Sequence, residues 1–202
     1  MADFAALADV EAFLIREITE AAEIASVNRA LAEASAAIRN YTKQYIGLVE
    51  DETITLDSRG GWRVYLPELP VISVSEVIED GDLLTAEDDY KLGEDGILTR
   101  VGQVWASGIQ ILEISYTHGY AIIPDDIAGV CTRAAARAFQ AGLKASDSDG
   151  VPGIASKSLG DFSVSFSGEG GSAGDGVMGA SAARFLLMSE KDILDKYRVK
   201  GP

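Results

Sequence analysis

One histidine, His118, and one cysteine, Cys131, are the only side chains of their kinds among 202 residues. Neither Cys131 nor any serine stands near His118 in a nucleophile pattern, so a Ser–His–Asp or Cys–His site has no visible frame. His118 sits in Tyr116-Thr117-His118-Gly119-Tyr120, where a strand gives way to a helix. It reads as a structural histidine satisfying backbone groups at that junction. Carboxylates are the abundant reactive groups. Residues 76–95 hold nine of them against Lys91 alone. Paired carboxylates can hydrolyse glycosides, and oxygen-rich loops can bind calcium. Here they are spread over hairpin turns without a calcium-loop spacing, which reads as a solvated acidic face. Asp147-Ser148-Asp149-Gly150 resembles the start of such a loop, but Ser158 stands where its closing acid belongs. The glycine-rich tract at 168–179 has no lysine and no preceding parallel strand, so it is a linker and not a phosphate cradle. No catalytic, cofactor-binding or metal-binding residue emerges, and the chain is expected not to be an enzyme.

Composition narrows the classes further. Seventeen Lys and Arg against 32 Asp and Glu give −15, which opposes wrapping nucleic acid or docking on an anionic membrane. A single cysteine excludes an internal disulfide or a cysteine zinc site. The opening MADFAALADVEAF carries Asp3, Asp9 and Glu11 where a signal peptide needs a basic start and an apolar run. Synthesis in a reducing compartment, the cytoplasm, is the expectation.

Behind these residues stand elements of two periods. Leu7 to about Arg16 reads as a short amphipathic helix. Thr19 reads as the N-cap of a long one, with Ile24, Val27, Leu31, Ala34, Ile38, Tyr41 and Tyr45 stepping alternately by three and four. Gly47 is its expected C-cap. From Glu52 to Thr117 the period falls to two, as in Ile54/Leu56, Trp62/Val64/Leu66, Ile72/Val74 and Leu112/Ile114/Tyr116. Asp80-Gly81 and Asp95-Gly96 supply hairpin turns. Pro124-Asp125-Asp126 opens a third, alanine-rich helix with acids at the positive end of its dipole and Arg133, Arg137 and Lys144 further along.

The fold class expected is α+β. A body spans 1–144, with helices at 7–47 and 124–144 and a small antiparallel β insertion of five or six short strands at 52–117. A C-terminal arm spans 145–202. Residues 145–180 hold nine of the 21 glycines, so the arm is expected to be flexible, with a strand-like island at 158–166 and a closing helix at 181–198. Ser189 and Asp192 have capping-box-like spacing in that helix. The arm reads as a tether that orders on a partner, the other possibility being a tail folded on its own body.

The order of motifs is similar to that in head-to-tail adaptor (connector) proteins of long-tailed bacteriophages. Leu7-Ala8-Asp9-Val10-Glu11 with Leu31-Ala32-Glu33-Ala34-Ser35-Ala36-Ala37-Ile38-Arg39-Asn40-Tyr41-Thr42 resembles their start. The hinge Tyr116–Tyr120 with Ile123-Pro124-Asp125-Asp126-Ile127 resembles their strand-to-helix junction. So do the Ala/Arg helix, Ser158–Val164, and the close Leu187-Met188-Ser189-Glu190 to Tyr197-Arg198. The glycine-rich 168–179 departs from the pattern. The resemblance implies a structural ring, commonly of twelve subunits, beneath the portal. It would dock the next connector or tail protein, and packaged DNA would pass through without sequence-specific binding. A negative wall suits that conduit because it repels phosphate. Two partner-binding sets are expected: Phe162, Val164 and Phe166 adding a strand to a partner sheet, and Phe185, Leu186, Leu187, Ile193, Leu194, Tyr197 and Arg198 inserting into the portal. The alternatives are a stopper or tail-completion protein of the same connector, an acidic calcium- or carbohydrate-binding module, and, more distantly, a hydrolase.

Overall fold

A computed structural model describes residues 3–93, 95–147, 156–159, 162–165 and 186–198. Helices α1 (Leu7–Leu14), α2 (Ala21–Thr42) and α3 (Asp125–Asp147) form one layer. The long seam places Val27, Leu31, Ala34 and Ile38 at 2% exposure or less, facing Ile127, Val130, Cys131 and Ala134 of α3. The small side chains of α3 let α2 approach closely, as a slim helix should. The N-terminus is tied down as well: the Phe4 amide donates to Ser35 Oγ at 3.0 Å, and Arg39 lies over the Phe4 ring.

The helix ends differ from expectation. Glu20, not Thr19, is the N-cap residue of α2, with no side-chain cap bond. The helix closes at Lys43 in the left-handed region (φ +58°), four residues before Gly47, so Tyr45 lies beyond the helix. A lysine tolerates this conformation because its amide still reaches the Arg39 carbonyl at 2.8 Å.

The β insertion is larger than expected and forms two antiparallel sheets. One has the order β1 (Val49–Arg59), β7 (Ser107–His118), β3 (Val71–Glu79), β4 (Asp82–Leu83). The other runs β2 (Arg63–Tyr65), β6 (Ile97–Arg100), β5 (Tyr90–Leu92). Both contribute to a second core in which Val77, Leu98, Trp105, Leu112, Ile114 and Tyr116 are fully buried. Leu112/Ile114/Tyr116 alternate as read. Ile72 does not: it is 53% exposed, because bulges at Val71/Ser73 and Val74/Glu76 reset the pleat and bring Val77 inward. Trp62 likewise precedes β2 and is exposed. Asp80-Gly81 turns with both residues at positive φ, the type I′ signature.

The acidic stretch is not all solvated. Glu79 and Arg100, both nearly buried, pair at 3.1 Å, Glu79 also accepts the Ala106 amide, and Arg100 reaches the Asp89 carbonyl. His118, 1% exposed, takes a carboxylate partner instead of backbone groups: its Nε2 lies 2.7 Å from Glu52.

Two chain crossings join the cores. Tyr120 donates its amide to the Ile46 carbonyl, Gly119 to Pro70, Tyr45 to the Glu68 carboxylate and Leu69 to Gln44. Gly119 (φ +88°) lies so close to Gly47 that a Cβ there would stand 2.1 Å from the Gly47 carbonyl oxygen.

In the C-terminal part, β8 (Ser156–Leu159) and β9 (Phe162–Ser165) pair as a hairpin. The closing helix is much shorter than 181–198: α4 covers Met188–Leu194, followed by a 3-10 turn at Asp195–Tyr197. Its N-cap residue is Leu187, whose amide donates to Glu190 at 2.9 Å, so Ser189 and Asp192 do not form the cap.

Candidate docking surface

The helical layer presents a groove between α2 and α3, and residues 186–198 lie in it as a strap. Leu186 and Leu194 enter the helical core at 7% and 0% exposure, with Ile193 and Tyr197 partly buried beside them. Between the two leucines falls Glu190, four residues from each and only 3% exposed. A carboxylate in that position requires a cation. Arg137 supplies it with both terminal nitrogens, each 2.7 Å from a Glu190 oxygen. Such a bidentate fork fixes orientation as well as charge.

Two further polar clamps hold the far end of the strap. Asp126, at the start of α3, accepts the Tyr197 hydroxyl at 2.7 Å and pairs with Lys196. Tyr41, near the end of α2, donates to Asp195 at 2.6 Å, and Lys191 and Arg198 approach its ring at 5.6 and 5.8 Å. A cavity of about 180 Å³ lies where Tyr197 and Arg198 of the strap meet Gln44, Leu69 and Tyr120 of the joint.

Burial alone would raise the Asp126 pKa, but the Lys196 and Tyr197 bonds outweigh it and hold the carboxyl below its ordinary range. A depressed carboxylate adds stability above the unfolded value, 3.8, and loses it as pH falls through the folded value. Acidification below about pH 4 should therefore loosen the strap's end. Hydrogen exchange of residues 195–198 should show this in the native protein, and Asp126→Asn should abolish the acid-dependent part.

The expected site residues separate into three groups. Leu186, Ile193, Leu194 and Tyr197 gather on the chain's own α2–α3 groove. Leu187 and Met188 face outward at 48% and 73% exposure, and Arg198 is exposed. Phe162 and Val164 lie in β9, opposite Leu159 and Lys157, in a separate two-stranded sheet. Phe166 and Phe185 lie outside the described residues, as does most of the expected flexible arm. Sequence reasoning missed Arg137, Glu190 and Asp126 as partners. The one available signal was an acid, Glu190, midway between Leu186 and Leu194 at a spacing of four from each.

Among the described residues, no cluster of three or more His, Cys, Asp or Glu side chains is arranged to hold a metal ion, and no helix is long and apolar enough to cross a membrane. Residues 5–132 match the head completion protein family. The chain belongs to that family. The match takes in α1, α2, the entire β insertion and the first third of α3, and ends before the strap. As a head completion protein the chain is a structural virion component of the head-to-tail connector, and not an enzyme. No curated protein matches it. Similar solved structures include chains of the neck of the native gene transfer agent particle (C12 symmetry; 15% identity, TM-score 0.45, covering 100% of this chain and 96% of that one). Others are the virion of the same native particle (16%, 0.45, 92% and 81%) and the neck of the empty particle (C6 symmetry; 20%, 0.42, 61% and 69%).

Proposed function

We propose that this head completion protein is the adaptor of the connector: a ring, of twelve subunits in keeping with the adaptor resemblance, seated beneath the portal. It docks the next connector or tail protein and lines part of the path of the packaged DNA. The observation that carries the reading is the partition of charge. Residues 49–118 hold 15 carboxylates against four Arg and Lys, so −11 of the total −15 falls on the β insertion. A protein that presents its acids on one module repels phosphate there and leaves the helical layer for contacts with neighbours.

The portal contact is assigned to the outward side of the strap, Leu187 and Met188, together with Phe185 and Arg198. Leu186, Ile193, Leu194 and Tyr197 join this contact through the strap they fasten. Among the described residues β9 has a partner on one edge only, which supports strand addition by the Phe162–Phe166 segment. The double variant Leu187→Asp/Met188→Asp should keep the wild-type Tm, since neither side chain is buried, and should bind purified portal at least about tenfold more weakly, a loss of about 1.4 kcal/mol. Portal binding at wild-type strength would overturn the assignment.

A further inference from the structure

We infer that in the assembled ring the strap, residues 186–198, occupies the α2–α3 groove of the neighbouring copy, so that each subunit clasps the next. The inference rests on the ring reading above. The groove recognises this one sequence: a buried acid must meet Arg137, a leucine must fill the core, and Tyr197 must reach Asp126. The neighbour's strap is identical, so exchange retains every contact.

Chain length makes the exchange accessible. Arg137 lies ten residues before the end of α3, so closing the strap on its own body spans about 15 Å along the helix. The link from 148 to 185 has 38 residues. With 156–165 taken up in the β8–β9 hairpin, the other 28 reach as far as roughly 90 Å. Equivalent grooves in adjacent copies of a 202-residue domain stand about 40 Å apart. The link is several times longer than its own groove requires and ample for the next one.

A charge-reversed pair tests this. Arg137→Glu and Glu190→Arg each set like charges against one another within a single chain. In an alternating assembly every strap would again meet a groove of opposite charge. Native mass spectrometry should show each variant monomeric alone and a 1:1 mixture assembling like wild type. The double variant R137E/E190R in one chain should also assemble, which confirms that the reversed pair folds. If the singles assemble as well as wild type, or the mixture stays monomeric while the double variant assembles, the exchange is refuted with the ring intact. Wild type and every mixture remaining monomeric would instead bring down the ring reading itself.

Discussion

Gly119→Ala should be the most damaging single substitution in the chain, costing at least about 4 kcal/mol and lowering Tm by roughly 10 °C. Two penalties combine. The backbone there has φ +88°, which strains any residue with a Cβ, and the added carbon would meet the Gly47 carbonyl oxygen at 2.1 Å and the Ile46 carbonyl oxygen at 2.9 Å. Both obstacles are backbone atoms of the other crossing, so neither can swing aside. Two companions separate the causes. Gly81→Ala has the same sign of φ (+90°) but open space around it, and should cost only about 1 kcal/mol. Gly47→Ala has open space and no positive φ, and should be close to neutral. Thermal unfolding of the three variants checks the order; a Gly119→Ala protein with the Tm of Gly81→Ala would show that the crossings are not in contact.

Arg137→Ala should leave the two cores folded and free the strap. Without its guanidinium fork, Glu190 is a buried carboxylate with the Leu187 amide for a partner and Arg133 at 3.9 Å, a deficit of about 3 kcal/mol. Hydrogen exchange of residues 186–198 should then accelerate by roughly a hundredfold, since each 1.4 kcal/mol is tenfold. Exchange in α2 and in β7 should change far less. Arg137→Lys should fall between, because a point charge replaces only part of a bidentate contact. Unchanged exchange at the strap in Arg137→Ala would mean that the apolar anchors alone hold it.

What was legible in the sequence was what depends on local spacing. The α2 seam is visible because a helix buries every third or fourth residue. The third helix announces itself with Pro124-Asp125-Asp126, and Asp80-Gly81 marks a turn that needs positive φ twice. What was hidden depends on distant residues or on departures from a regular pleat. Ile72 alternates correctly with Val74 in sequence, yet two bulges in β3 turn it outward. Lys43 closes α2 without the glycine such a cap usually prefers. Glu79 sits in an acidic run and gives no local sign of Arg100, 21 residues away. The candidate surface behaved in the same way. Leu186 and Leu194 were expected to insert into the portal; in the folded chain they are buried in the helical core beside α2 and α3, and only that fold brings Arg137 to Glu190 across 53 residues.

The adaptor reading is tested most directly by a pull-down of the tagged chain from virus-producing host cells, with negative-stain imaging of whatever co-purifies. The account predicts portal rings, each capped by an added ring of this chain whose subunit number can be counted. Recovery of tail components without portal, or of the bare monomer, would contradict it.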